Sequence, residues 1–109
     1  MNVIILPEIM DYLQELVIIL YEKGYFGYME TSESCVKKLL IDIKTSLPFR
    51  LHKPAPKYFN RFGKKMKYTG FRKNKYTMWY VFFKTYEKNG ETFYLVRYIA
   101  NNHVIAQYL

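Results

Sequence analysis

The sequence predicts a single α+β domain over residues 1–109, with a short strand and a helical hairpin packed on a C-terminal antiparallel sheet. Two segments of the first half repeat apolar residues at helical spacing, whereas the second half holds aromatic and β-branched runs. An Asn-Gly pair, typical of tight hairpin turns, separates two of those runs. Because 50% of the residues are hydrophobic and 19% are aromatic, the chain can build one core.

The first half predicts one strand and two antiparallel helices. Residues 2–6 are mostly β-branched and end at Pro7, which typifies a short strand. The first helix is expected from Pro7 to Gly24, and the second from a cap at Thr31 or Ser32 to Pro48. Since the connection between them is short, the helices form a hairpin. The helical stripes are Ile9, Tyr12, Leu13, Leu16 and Leu20 in the first helix, and Val36, Leu39, Leu40, Ile43 and Leu47 in the second.

The second half predicts a loop followed by strands. Residues 49–63 are rich in proline and basic residues and have no clear period, so they are expected to form a loop. Strands are expected over residues 64–72, 77–86 and 92–99, with a short helical turn over 103–109. The predicted sheet core is an apolar stripe made of Trp79, Val81, Phe83, Phe93, Leu95 and Ile99.

Charge and cysteine content narrow the classes of function. Seventeen Lys and Arg against nine Asp and Glu give a net charge of +8, which favours nucleic acid, an acidic protein or an anionic membrane surface as partner. Cys35 is the single cysteine, so it forms no internal disulfide; it is interpreted as structural and as a sign of a reducing compartment. No apolar run approaches the roughly 20 residues that span a bilayer, so a soluble, cytoplasmic protein without a membrane partner is expected.

Residues 64–76 combine basic and aromatic side chains, and this basic run predicts a nucleic-acid contact. Cations bind backbone phosphates and aromatic faces stack on bases, and this run also holds Tyr68, Phe71 and Tyr76. A solvated surface is the alternative interpretation. No phosphate-binding glycine loop, zinc-protease motif or serine nucleophile motif accompanies the run. The predicted nucleic-acid-binding residues are Lys64, Lys65, Lys67, Arg72, Lys73 and Lys75.

The C-terminal block resembles the RelE/ParE superfamily of bacterial toxins. The resemblance rests on Phe71-Arg72, the run WYVFF over residues 79–83, the Asn-Gly hairpin, the run YIANNH over residues 98–103, and Tyr108. The order of elements is similar too. The resemblance implies either a metal-independent ribonuclease that cuts messenger RNA on the ribosome, or an inhibitor of DNA gyrase. Each kind is neutralised by a cognate antitoxin and needs no cofactor.

The resemblance also implies four catalytic residues: Arg72, His103, Lys67 and Tyr108. Cleavage of this type deprotonates the 2′-hydroxyl, stabilises charge on the phosphate and protonates the leaving oxygen. An arginine grips a phosphate in two places, and a histidine with a pKa near 6.5 moves the proton. The alternatives are an antitoxin contact for Arg72, a capping role for His103 and an anchor for the terminal turn for Tyr108. His52 is interpreted as structural or exposed.

One departure from the pattern leaves the function open. Near Met78 or Trp79 the family carries a third-strand arginine, and this chain has bulky apolar residues there. A gyrase inhibitor and a basic RNA-binding module without activity are therefore the alternatives to an endoribonuclease. Residues 17–19 add an apolar excess to the first helix, so an acidic or amphipathic antitoxin segment is expected to cover them or the open face of the sheet.

Overall fold

The structure, a computed structural model, describes residues 2–23, 29–72 and 78–109, without the side chains of residues 17, 20, 21, 29–32, 103 and 104. The described chain is α+β. Its strands and helices, in chain order, are β1 (Asn2–Ile5), α1 (Pro7–Glu22), α2 (Met29–Ser46), β2 (Lys53–Pro54), β3 (Lys67–Arg72), β4 (Met78–Lys88), β5 (Glu91–Asn101) and α3 (Asn102–Ile105). Short 3-10 turns occupy Leu47–Phe49, Lys57–Arg61 and Ala106–Tyr108.

The strands form a mixed sheet of five, in the order β1-β5-β4-β3-β2. β1 runs parallel to β5, and the other neighbours are antiparallel. The C-terminal strands are antiparallel, as predicted, but β1 joins them in parallel, so the complete sheet is mixed. The two helices that follow β1 carry the chain to the opposite edge of the sheet, where β2 begins. β2, two residues inside the predicted loop, adds the other edge strand.

The β4–β5 hairpin turns at Asn89 and Gly90, as predicted. Both residues have left-handed backbone conformations, with φ of 53° and 78°. Asparagine and glycine adopt that conformation at low cost, and its twist matches that of the flanking strands. Lys88 and Glu91 pair directly beside the turn. The hairpin register is therefore fixed by the local sequence.

A β-bulge at Arg97 changes which residues of β5 face the core. The register passes from Phe82 opposite Tyr98 to Phe83 opposite Val96, so Arg97 is an extra residue in β5. An extra residue reverses the alternation of side chains beyond it. Consequently, only some residues of the predicted core stripe are buried in the core. Trp79, Val81, Phe83 and Ile99 are buried, whereas Phe93 and Leu95 are half-buried on the opposite face.

The helices cover one face of the sheet, called here the helix face. α1 and α2 pack their apolar stripes against it, and α2 begins at Met29, before the predicted cap. Pro48 lies in the 3-10 turn after α2, so the helix ends where the proline predicted. The buried residues of this core are Ile9, Leu13, Leu16, Val36, Leu39, Ile43, Leu47, Phe71, Trp79, Val81, Phe83, Val96 and Ile99.

A second, smaller core lies on the opposite face, called here the loop face. The covering loop, residues 55–66, folds onto this face through its 3-10 turn, and α3 packs beside it. Phe59 from the loop and Ile105 from α3 meet Phe82 of the sheet, all fully or almost fully buried. The sequence predicted this segment only as a loop with a turn. None of the helices in the described ranges is long and apolar enough to cross a membrane.

Candidate nucleic-acid interface

The ends of β3 and β5 meet at the same end of the sheet. Arg72, the last residue of β3, pairs with Met78, the first residue of β4. The backbone N–H of Met78 donates a 3.0 Å hydrogen bond to Oδ1 of Asn102, which begins α3. Positions 72, 78 and 102 therefore form one row, which we call the terminal row, about two strand spacings or roughly 10 Å wide. His103 follows in α3; its side chain is outside the described part of the molecule.

Arg72 and Lys67 lie on opposite faces of β3. Lys67 pairs with Phe83, a residue of the helix face, whereas Arg72 pairs with Met78, the neighbour of the helix-face residue Trp79. Paired residues share a face and successive residues alternate, so Arg72 belongs to the loop face. The two residues do not share a site. Lys67 is an exposed side chain at the helix side of the sheet.

The other predicted nucleic-acid-binding residues divide into two groups. Lys64 and Lys65 are exposed in the turn before β3, where Lys65 has a left-handed backbone with φ of 56°. Lys73 and Lys75, with Tyr76, lie outside the described residues. The aromatic partner Phe71 is fully buried, with the Arg50 guanidinium carbon 3.9 Å from its ring centroid. Phe71 therefore cannot stack on a base.

The loop face carries aromatic rings that the sequence did not group together. Tyr68, Tyr80 and Tyr98 are half-buried, and Tyr68 lies 6.0 Å from Tyr80, edge to face. Phe62 of the covering loop stacks on Tyr98 at 3.9 Å with 4° between the rings. Phe59 stacks on Phe82 at a centroid distance of 4.3 Å, with 28° between the rings. The covering loop is thus held on the sheet by ring contacts.

Two further arginines lie on the loop face and were not predicted from the sequence to belong to the site. Arg97, the bulge residue, donates from Nε to the Phe62 carbonyl oxygen at 3.3 Å. Arg61 donates from Nε to the Tyr58 carbonyl oxygen at 3.1 Å, and its guanidinium carbon lies 4.1 Å from the Tyr58 ring centroid. Simple alternation assigns Arg97 and Tyr98 to opposite faces. The bulge brings both beside Phe62, and the sequence offered no signal for it.

Tyr108 belongs to the last 3-10 turn and packs against the covering loop. Its ring stacks on Tyr58 with a centroid distance of 3.6 Å and 3° between the planes. About 37% of Tyr108 remains exposed. This geometry fits the anchoring alternative given above, because Tyr108 fastens the end of the chain to the loop.

Burial changes the acidity of two tyrosines. Desolvation raises the pKa of Tyr98, and the neighbouring Tyr58 raises it further. The pKa of Tyr12, on α1, is raised by burial and then by Tyr98. Both hydroxyls therefore remain protonated well above neutral pH and can donate hydrogen bonds.

His52 has a structural role, as predicted. Its Nε2 lies 2.8 Å from the Leu47 carbonyl oxygen, so the Nε2–H tautomer donates to the end of the helical segment. The ring meets Phe83 edge to face at 4.7 Å and is half-buried. This packing connects the turn after α2 to the helix face and leaves His52 remote from the terminal row.

Charge is divided between the two halves of the chain. Residues 1–46, which supply β1, α1 and α2, hold seven acidic and four basic residues, a net charge of −3. Residues 47–109 hold two acidic and thirteen basic residues, a net charge of +11. The positive potential therefore belongs to the sheet and its loops. This division is visible in the sequence once the chain is split at the end of α2.

The helical layer carries an apolar groove of about 630 Å³ between α1 and α2. Ile18 at this groove is 50% exposed, and Ile19 beside it is 38% exposed. On the loop face toward the hairpin tip, Ile4 and Tyr86 are also exposed. The residues that line the groove are Met10, Leu13, Gln14, Ile18, Glu33, Val36, Lys37 and Leu40.

Among the described residues, no three His, Cys, Asp or Glu side chains are grouped as they are around a metal ion. Comparison with protein-family models, curated proteins and solved structures finds no match. The resemblance to RelE/ParE toxins therefore stays a prediction.

Proposed function

We propose that this protein is the toxin of a type II toxin–antitoxin pair and cleaves messenger RNA in the translating ribosome without a metal ion. The observation that carries the proposal is the terminal row. It joins the strand end that bears Arg72 to the helix that bears His103, on the face that belongs to the basic half of the chain. Cleavage by an RNA 2′-hydroxyl needs a cation that binds the phosphate and, beside it, a group that accepts or donates a proton near neutral pH.

Each residue has a distinct part in the proposed reaction. The Arg72 guanidinium binds two oxygens of the scissile phosphate and stabilises the charge that develops on them. His103 takes the proton of the 2′-hydroxyl as the 2′-oxygen bonds to phosphorus, and it gives that proton to the 5′-oxygen as the bond between phosphorus and the 5′-oxygen breaks. Lys67 has no part in this reaction, because it lies on the helix face.

The rest of the loop face suits a single RNA strand. Tyr68 and Tyr80 offer ring surface for bases, and Arg61 and Arg97 add positive charge beside the covering loop. Lys64 and Lys65 extend that charge along the turn before β3. We propose that these residues hold the strand while Arg72 and His103 act on it.

The antitoxin is proposed to contact two different surfaces. Its amphipathic helix fills the groove between α1 and α2, where Ile18 is exposed. Because residues 1–46 carry a net charge of −3, the flanks of that helix should be neutral or basic. An acidic segment of the same partner instead suits the basic half of the chain.

The test is cleavage of messenger RNA in a reconstituted translation reaction. The wild-type chain should cut only RNA that is being translated, and EDTA at a concentration that spares the ribosome should not reduce the rate. His103→Ala should slow cleavage and flatten its pH dependence between about pH 5 and 8, because the titrating imidazole is removed. Failure of the folded wild-type chain to cut translated RNA would contradict the proposal.

A gyrase inhibitor is the second candidate. Trp79 favours it, because this residue occupies the region of the family's third-strand arginine and is 1% exposed in the core. A buried indole cannot replace a phosphate-binding cation. DNA supercoiling by gyrase, measured in parallel, separates the candidates: inhibition without RNA cleavage selects the second. RNA binding with neither activity selects a non-catalytic module.

A further inference from the structure

The C-terminal tail, residues 106–109, is fastened to the molecule by a stack of three groups. The Tyr108 ring lies 3.6 Å from the Tyr58 ring and parallel to it. A ring at that distance fills one face of Tyr58, so the Arg61 guanidinium, 4.1 Å away, occupies the other. The Tyr58 ring therefore lies between the Tyr108 ring and the Arg61 guanidinium. The four tail residues are otherwise exposed.

The tail continues directly from α3, whose own attachments are few. α3 has four residues, and a helix that short is not stable by itself. Ile105 is buried beside Phe59, and Asn102 accepts the hydrogen bond from Met78. Phe59 and Tyr58 both belong to the 3-10 turn Lys57–Arg61. That turn therefore holds α3 and the tail from one side.

We propose that Tyr58 is a positioning residue, whose stack with Tyr108 fixes α3 at the sheet end that carries Arg72. Tyr108 then acts through the position of α3 and does not touch the RNA, which replaces the catalytic role that the resemblance implied. The stack itself is independent of any activity. Its importance for the rate rests on the proposed RNA cleavage, because only that reaction needs Arg72 and α3 at a fixed separation.

The first test measures the position of α3 without any substrate. Amide hydrogen exchange at Met78 reports the bond to Asn102, and ¹⁵N relaxation reports the order of residues 102–109. Tyr58→Leu and Tyr108→Leu should each raise the Met78 exchange rate roughly five- to tenfold, as expected for the loss of one ring pair. The double variant should match Tyr58→Leu, because that substitution alone already removes the contact between Tyr58 and Tyr108.

Two controls keep this test specific to the stack. Tyr58→Phe retains the ring and should behave as wild type. Tyr86→Leu removes a tyrosine that is 46% exposed on the distant hairpin and should leave Met78 exchange unchanged. An ordered tail and unchanged Met78 exchange in Tyr58→Leu would overturn the proposal.

The second test separates positioning from RNA contact. In the cleavage assay, Tyr58→Leu should lower kcat roughly tenfold or more with little change in KM, and Tyr58→Phe should restore it. A raised KM with unchanged kcat in Tyr108→Leu would show contact with RNA and overturn the positioning role. Absence of cleavage by the wild type would refute the proposed function, whereas the exchange measurement would still decide whether the stack fixes α3.

Discussion

At the scale of single residues, the face of the sheet on which a basic side chain lies determines which other side chains can share a site with it. Lys67 and Arg72 are five positions apart in one strand, an odd separation, so they point to opposite faces. Arg97 joins the loop face because of the bulge. The positions of these cations along the chain are visible in the sequence, but only the strand register assigns each of them to a face of the sheet.

The acidity of Tyr98 predicts how stability changes at high pH. Its pKa is raised by burial and then by Tyr58, so the folded state keeps this proton at a pH where the unfolded state has lost it. Stability is therefore fully present below the unfolded pKa of 10.0 and falls as pH rises from there toward the folded pKa. The expected outcome is a smaller alkaline loss of stability in Tyr98→Phe.

Urea unfolding at pH 8 and at closely spaced values up to pH 11 measures this difference. Tyr86→Phe, at an exposed tyrosine, is the matched control and should follow wild type. Identical alkaline losses in wild type and Tyr98→Phe would contradict the assignment.

At the scale of elements, local sequence patterns predicted the hairpin and the helices better than the strand pairing at the edges of the sheet. Asn89 and Gly90 have the left-handed conformations that their residue types favour, and Pro48 ends α2. β1 was recognised as a strand, but its parallel pairing with β5 depends on a contact between the two ends of the chain. No local pattern carries that information.

The packing of the covering loop is likewise not predicted by local sequence patterns. Its prolines and basic residues predicted an irregular segment, and it is irregular, but Phe59 is fully buried beneath it. The aromatic residues of this loop, Tyr58, Phe59 and Phe62, follow no period from which their burial can be inferred. Its burial follows from the ring contacts with Phe82 and Tyr98.

Phe59 should therefore be essential to the second core. Phe59→Ala removes a fully buried ring and should lower the free energy of unfolding by about 3 to 5 kcal/mol. Phe49→Ala, at a ring that is 74% exposed, should change it by less than about 0.5 kcal/mol. Chemical denaturation measures both. Equal effects of the two substitutions would mean that the loop does not pack on the sheet as described.

At the scale of the whole molecule, the two layers have opposite charge. A net charge of +8 first indicated an anionic partner for the whole chain, yet residues 1–46 are net acidic and the remainder carries +11. Nucleic acid is therefore expected on the sheet side, with affinity that falls steeply as salt rises. The helical layer is left for a partner that recognises an apolar groove. Composition alone could not separate these two surfaces, since it averages over them.

RNA cleavage is proposed to take place at the loop-face end of the sheet that carries Arg72. The most direct measurement compares Arg72→Ala with Arg50→Ala in translation-coupled cleavage at equal folded concentration. Both remove one guanidinium, but Arg50 covers Phe71 on the helix face. Arg72→Ala should cleave roughly a hundred- to a thousandfold more slowly, because one transition-state donor is worth about 3 to 4 kcal/mol, whereas folded Arg50→Ala should cleave at nearly the wild-type rate. Equal rates in the two variants would contradict the claim.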